Sequence, residues 1–363
     1  MASSQFILNT KSGGEDHVFA LPSGVKPVSV NCQSGSCSTI RFSNGITCSS
    51  QCMHCHDRPC LRYQKQEFDF VRSLPGFSPE RDLRVCATDA IAWDDKTNQP
   101  RIDAGKCIHC GCCAIRCPTR AIYFNEGRFS VSSQSSASQS VFHVVPKNKI
   151  GFGYDSAEKA FTNASYSGCI VAETDELIND TYRKLLTLVK HDTRIPNLLT
   201  RNLLMTLGIH AASSRCGDVY SRTDILFAVP GKFGICEVEF NDTMIDTPRD
   251  IIEDIAIYIS RYGIEKSKIL PLVIGLQYPN NRSEFWEVLT DIQKVLGIST
   301  RSLSVGALML MVWNQATFKN MSVESIPIID NLNKGIRDAV SVLIGRKVRL
   351  GQGVIYNALE PLK

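Results

Sequence analysis

Residues 107 to 118 read Cys107-Ile-His-Cys110-Gly-Cys-Cys113-Ala-Ile-Arg-Cys117-Pro118, a Cys-x2-Cys-x2-Cys-x3-Cys-Pro run. Three cysteines on one short loop, with a fourth leaving on the following helical turn, suit the corners of a [4Fe–4S] cube. A zinc site on the same spacings is the competing reading. Upstream, the chain repeats itself. Cys52-Met-His-Cys55 answers Cys107-Ile-His-Cys110, and the stretch opened by Cys86 (Cys-Ala-Thr-Asp-Ala-Ile) shares Cys, Thr, Ala and Ile in register with the one opened by Cys117. Eight thiols in two interlocked halves fit zinc poorly.

On these residues, the stretch from about 45 to 126 resembles the bacterial two-cluster ferredoxins. The run Cys52-Met-His-Cys55-His-Asp-Arg-Pro-Cys60 is especially similar to iron-sulfur electron-transfer subunits of larger oxidoreductases. The resemblance implies an α+β ferredoxin-like module with two [4Fe–4S] clusters. One would lie on Cys52, Cys55, Cys60 and Cys117, the other on Cys107, Cys110, Cys113 and Cys86, each half lending its last thiolate to the other. The sequence departs from the family twice: residues 61 to 85 stand where the family has a short link, and Ala87 replaces the proline after Cys86.

A length of 363 residues suggests two or three domains with ample material for a core. Fifteen cysteines would also suit a disulfide-rich secreted protein. The start Met-Ala-Ser-Ser-Gln, however, has no basic region followed by an apolar stretch, so a reducing, cytoplasmic compartment is expected. No apolar run approaches the roughly 18 to 20 residues of a membrane span; the longest, Val305 to Trp313, is strand-sized. The formal charge of +4 is small and omits the negative charge of any cluster, so it does not announce nucleic acid binding. A local basic face built from Arg194, Arg201, Arg215, Arg222, Lys232 and Arg249 competes with ordinary solvated surface charge.

Four segments follow from composition. Residues 1–44, rich in Ser and Gly, read as an N-terminal arm of short strands and loops; 45–129 form the ferredoxin-like module; 130–145 are a Ser-rich linker; 146–363 are an α/β domain. Cys32, Cys37 and Cys48 read either as unpaired thiols or as part of a further metal site, and Cys112 has no assigned role. Beyond the linker the patterns predict helices over 173–190 and 198–207. A hairpin of 224–229 and 233–240 about Pro230-Gly231 comes next, then a helix from Thr247 as N-cap to Tyr262, stopped by Gly263. A strand over 269–276, a helix over 283–296, a strand over 303–313 and a helix over 332–344 complete an α/β layer with a mixed sheet.

Within that domain, alternation along the strand puts Glu237 and Glu239 on one face and Cys236, Val238 and Phe240 on the other, and the neighbouring strand can bring Asp224 beside the glutamates. Three converging carboxylates suit Mg2+ or Mn2+, which could activate water for phosphodiester displacement. They equally suit the wet face of a hairpin. At these residues the sequence resembles the PD-(D/E)xK nuclease superfamily, in a Glu-x-Glu variant: Glu239 stands where the family has lysine and Thr223 where it has proline. The resemblance implies a restriction-endonuclease-like fold, with Asp224, Glu237 and Glu239 as catalytic metal ligands and Glu173 or Glu176 completing the set. It implies a Mg2+-dependent endodeoxyribonuclease of a prokaryotic restriction or defence system, acting on DNA, with two-strand cleavage favouring a homodimer.

Three functions therefore compete: that endonuclease, with the clusters structural or redox-sensing; a ferredoxin-type electron-transfer subunit of a larger oxidoreductase, working with a redox partner; and a catalytically silent DNA-binding subunit. No Gly-x-Gly-x-x-Gly fingerprint or Walker A loop is present, so electron transfer would require a partner protein.

Overall fold

The computed structural model describes Cys52 and residues 58–74, 76–117, 121–131, 170–213, 222–240, 244–280, 282–316, 336–351, 353 and 358–359, and elsewhere the backbone of six strands. The chain divides into two compact units, Met1–Gln64 with Leu83–Ala172, and Lys65–Asp82 with Glu173–Lys363. The boundaries differ from those expected. The second unit begins at Glu173 instead of 146, and it takes most of the segment inserted between Cys60 and Cys86.

In the first unit, the N-terminal residues form strands β1 (Ser4–Leu8) to β5 (Thr47–Ser49), through β2 (His17–Leu21), β3 (Pro27–Gln33) and β4 (Cys37–Phe42). β3, β4 and β5 make one antiparallel sheet. β1 and β2 make another with β10 (His143–Val144), which falls in the stretch expected to be a linker. Most of that Ser-rich stretch lies outside the described residues.

The cysteine-rich part carries two hairpins, β6 (Ile91–Asp94) with β7 (Gln99–Ile102), and β8 (Ile122–Asn125) with β9 (Arg128–Val131). A short helix, α1 (Cys112–Arg116), precedes the second. The duplication seen in sequence recurs in detail. Ala90 N–H donates to Cys86 Sγ at 3.2 Å and Ala121 N–H donates to Cys117 Sγ at 3.2 Å, each just before its hairpin. The β8–β9 turn has both central residues left-handed, Glu126 at φ 48° and Gly127 at 75°, the geometry that matches hairpin twist.

The second unit is built on a five-stranded sheet in the order β11-β12-β13-β14-β15: His210–Ser213, Ile225–Val229, Lys232–Glu239, Ile269–Gly275 and Arg301–Ser304. β12 is antiparallel to both its neighbours, whereas β13, β14 and β15 run parallel. The parallel steps require crossovers. They are α4 (Thr247–Tyr262) and α5 (Glu284–Leu296). Ile251, Ile255 and Tyr258 make the buried stripe of α4, and Gly263 at φ 67° ends the helix as the sequence predicts. α4 packs on β13, β14 and α5. A second helical group consists of α2 (Asp175–Val189), α3 (Ile195–Thr206), α6 (Val305–Trp313) and α7 (Ile336–Ile344); α3 packs on α2, α6 and β13, and α6 on α7. Consecutive residues of the central strands, Leu226 and Phe227, Ile235 and Cys236, and Leu272 and Val273, are all fully buried, so both sheet faces are covered.

Two expectations need correction. The stretch 303–313 is not one strand: β15 stops at Ser304, whose Oγ accepts the Ala307 N–H at 3.0 Å and so caps α6, a helix buried along its whole length. Helix α4 starts one residue early, with Asp246 as N-cap and Thr247 already helical. The inserted segment forms a 3-10 helix, Lys65–Ser73, with Phe68 and Val71 buried and packed on β11. Beyond it, Glu80 reaches Arg201 of α3 at 3.0 Å, with the Arg201 side chain fully buried and that of Glu80 nearly so. Glu80 Oε2 also accepts Ser213 N–H at 2.8 Å and Ser213 Oγ–H at 2.9 Å.

Candidate functional site

The described cysteines of the module sort into two sets. Cys86, Cys107, Cys110 and Cys113 line one small cavity with an apolar wall that includes Val85, Ile91, Ile102, Ile108 and Phe129. Burial, then the charges of Cys110, Cys107 and Cys86 and last that of Cys60, hold the Cys113 thiol well above its ordinary range. The Cys86 thiol is raised by burial and by Cys110. In the other set, burial first, then Cys117 and Cys52, raise the Cys60 thiol. Cys117 therefore keeps company with the upstream cysteines, and Cys86 with the downstream loop. Cys55 lies outside the described residues.

The backbone explains the gathering. His109 at φ 59° and Gly111 at φ 84° are left-handed, folding Cys107, Cys110 and Cys113 round a common centre, while Thr88 Oγ1–H ties the Cys86 turn to the Lys106 carbonyl at 2.8 Å. Cys112 faces away from exposure and hydrogen-bonds with Cys110, the leading influence that raises the Cys110 thiol. Among the described residues, no three His, Cys, Asp or Glu side chains converge tightly enough to hold a single metal ion. The thiols surround a space instead of a point, and buried, mutually repelling sulfurs favour ionisation only against a strongly cationic core. That donor chemistry fits a polynuclear iron-sulfur group.

The carboxylates occupy the second unit. Asp224 Oδ1 accepts Asn197 Nδ2–H at 2.8 Å and Oδ2 accepts the Val238 N–H at 2.9 Å, which seats Asp224 against β13. Glu237 is pushed up to about 11 by burial, a hydrogen bond with Asp254, and the charges of Asp224 and Asp254. Burial also raises Asp224. Glu237 is thus a neutral acid at pH 7, and its Oε1 is buried without a hydrogen-bond partner. Glu239 lies two residues along the same strand, half-buried.

Asp254 was not anticipated. It is 3% exposed on α4, and Thr223 Oγ1–H donates to its Oδ2 at 2.7 Å. Its signal was an acid set within the Ile251, Ile255 and Tyr258 stripe. Glu173 and Glu176 do not share these contacts: Glu173 is held by Arg346, with Nη1 donating to Oε1 at 2.6 Å, and Glu176 is exposed in the first turn of α2.

The basic face is spent on local partners. Arg194 pairs with Asp192 at 2.8 Å, Arg222 with Glu253 at 3.0 Å, Arg249 with Glu284 at 2.7 Å, and Arg201 with Glu80; Lys232 donates to the Ser267 carbonyl at 2.8 Å. Arg215 lies outside the described residues, as do Cys169 and Cys216. No helix among the described residues is long and apolar enough to cross a membrane.

Comparisons with known proteins bear on the cysteine-rich unit. Residues 100–123 match the family of 4Fe-4S binding domains. The chain is 28% identical over 87 residues to a protein of Pyrococcus furiosus described as the polyferredoxin-like subunit of an aliphatic sulfonate oxidoreductase, covering 24% of this chain and 38% of that protein. The chain thus spans well under half the length of the relative it matches. No solved structure matches. The ferredoxin-type module, joined to an α/β region with a mixed sheet, therefore binds at least one [4Fe–4S] cluster.

Proposed function

We propose that the chain is a two-cluster electron-transfer subunit. Cys107, Cys110, Cys113 and Cys86 would hold one [4Fe–4S] cluster, and Cys52, Cys55, Cys60 and Cys117 the other, passing single electrons to and from a redox partner protein. The observation that carries this reading is the sorting of the cysteines, in which Cys86 joins the downstream loop and Cys117 the upstream half. The family match and the subunit role of the Pyrococcus relative both favour it, which reverses the order of the readings expected from sequence. The test is iron and sulfide analysis of anaerobically purified protein, with about eight of each expected for two cubanes. Cys86→Ser should then perturb the cluster on the 107–113 loop. Damage confined to the other cluster would sink the cross-ligation.

A second reading rests on one observation, the meeting of Asp224, Glu237 and Asp254 beside Asn197. A hard cation there would displace the Glu237 proton and supply Lewis acidity for phosphodiester hydrolysis, with Asp224 and Glu237 as carboxylate donors and waters completing its shell, while the expected third donor, Glu239, does not converge with them. The order helix, three strands, helix, strand from α3 to β14 agrees with the superfamily resemblance. Anaerobic incubation with supercoiled and linear DNA plus Mg2+ or Mn2+ separates the readings. Nicking abolished by Glu237→Ala supports hydrolysis, and intact DNA in both samples leaves the second unit a docking module.

A further inference from the structure

We propose that Arg116 tunes electron transfer. As a buried cation, it raises the reduction potential of the cluster assigned to Cys52, Cys55, Cys60 and Cys117 above that of the cluster assigned to Cys86, Cys107, Cys110 and Cys113. The proposal rests on the two-cluster reading above and gives the pair a direction.

Arg116 closes α1, directly before Cys117 in the chain, and is 1% exposed. Its Nε–H donates to the Pro59 carbonyl at 2.8 Å, so it grips the residue before Cys60. Its guanidinium lies over the Tyr63 ring at 4.0 Å from the centroid, and Tyr63 is itself 1% exposed. One buried side chain thus spans the two ligands contributed by different halves of the duplication. A guanidinium stays charged at any accessible pH, and its planar fork and stacking ability suit it to this burial. The guanidinium is therefore fixed beside the residue that precedes Cys60 and is carried by the residue that precedes Cys117. The positive charge is therefore anchored on the Cys60 and Cys117 side of the module.

Reduction adds one electron and one negative charge to a cluster, and a buried cation favours that state through a poorly screened Coulomb term. The step is intramolecular and balanced: one electron leaves the reduced cluster of the Cys86 set and enters the oxidised cluster of the Cys117 set. No proton moves and Arg116 remains protonated. A low-potential one-electron donor protein would fill the first, and the partner acceptor would empty the second.

The experiment is an anaerobic redox titration of the full-length, cluster-loaded protein followed by electron paramagnetic resonance, for wild type, Arg116→Gln and Arg116→Lys. Two separate midpoints are expected in wild type. Arg116→Gln should lower the higher one by at least tenfold in its reduction equilibrium, 59 mV for one electron, and leave the lower one in place. Arg116→Lys, which keeps the charge, should retain most of the separation. A single wild-type midpoint overturns the proposal, as does an unmoved higher midpoint in loaded Arg116→Gln. If the Gln variant fails to load, collapse of the separation in loaded Arg116→Lys overturns it too. An iron content near four per wild-type chain instead removes the two-cluster reading itself.

Discussion

Replacing Glu80 by Ala tests how firmly the inserted segment is fastened to the second unit. The side chain makes a 3.0 Å ion pair with Arg201, which is fully buried, and accepts from Ser213 N and Oγ. Its Oε1 also accepts the Arg81 and Asp82 amides at 3.0 and 2.9 Å. Truncation leaves Arg201 buried without that carboxylate; the partners that remain include the neutral Asn202 amide oxygen and Asp82 carbonyl. Breaking a buried pair from one side costs about 3–5 kcal/mol, because the remaining charge stays desolvated. Against a typical total of about 5–15 kcal/mol, that is a large fraction. Urea unfolding followed by the fluorescence of Trp286 and Trp313, both in the second unit, reads it as a lower midpoint. Arg201→Met alone should be similarly damaging. The double substitution should cost several kcal/mol less than the sum, since no charge is then left uncompensated. A loss below about 1 kcal/mol for Glu80→Ala, with an unchanged denaturant slope, would refute the reasoning.

Other outcomes follow from single features. Glu237 has a folded value near 11, well above its unfolded range, so its contribution to stability is complete below about pH 4.5 and drains away as pH rises toward 11. Glu237→Gln should therefore gain on wild type as pH rises, by more than about 1 kcal/mol at pH 8; a pH-independent difference in thermal unfolding would contradict the buried neutral acid. Ser304→Ala removes the cap of α6 together with the hydroxyl's bond to the Ala358 carbonyl and should cost at least about 1 kcal/mol, as chemical denaturation can measure, whereas Ser304→Asp should be worse because it buries a carboxylate. A methyl group at Gly234 would land inside the ring of Phe227 on the neighbouring strand, so Gly234→Ala should cost about 1–3 kcal/mol in the same assay unless the ring relocates.

The two cysteine-rich halves were legible from their spacing and duplication, whereas the exchange of Cys86 and Cys117 between them came only as what the ferredoxin resemblance implies. Cys107, Cys110 and Cys113 at x2 spacing announce one loop, and the duplicated Cys86 and Cys117 stretches announce equivalent turns, realised as matching N–H to Sγ bonds. The hairpin about Pro230-Gly231 and the stop at Gly263 were equally plain, since both need left-handed glycines. Val305 to Trp313 was not, because an unbroken apolar run carries no period and a buried helix looks like a buried strand. The arbiter was Ser304, a capping residue that the strand reading passed over. Asp254 escaped for a different reason: its local signal was only an acid within the buried stripe of α4, and its meeting with Glu237, 17 residues earlier on β13, is a tertiary contact. Residues 61–85 looked like an interruption of one module because the surface that Phe68 and Glu80 recognise is supplied far downstream.

That distance sets an order of events during synthesis. The segment with Glu80 leaves the ribosome before its anchors exist, since Ser213 follows it by 133 residues and Arg201 follows Asp82 by 119. Meanwhile Cys86, Cys107 and Cys117 emerge while the segment between Cys60 and Cys86 still has nothing to bind. The cysteines can thus be assembled first, with the segment waiting as an open loop, and the late arrival of α3 and β11 closes it at the entropic cost that long-range contacts carry. A nascent chain stalled before residue 201 would hold its thiols but expose Phe68 and Val71, which makes the interval before α3 and β11 emerge the period of greatest risk of aggregation.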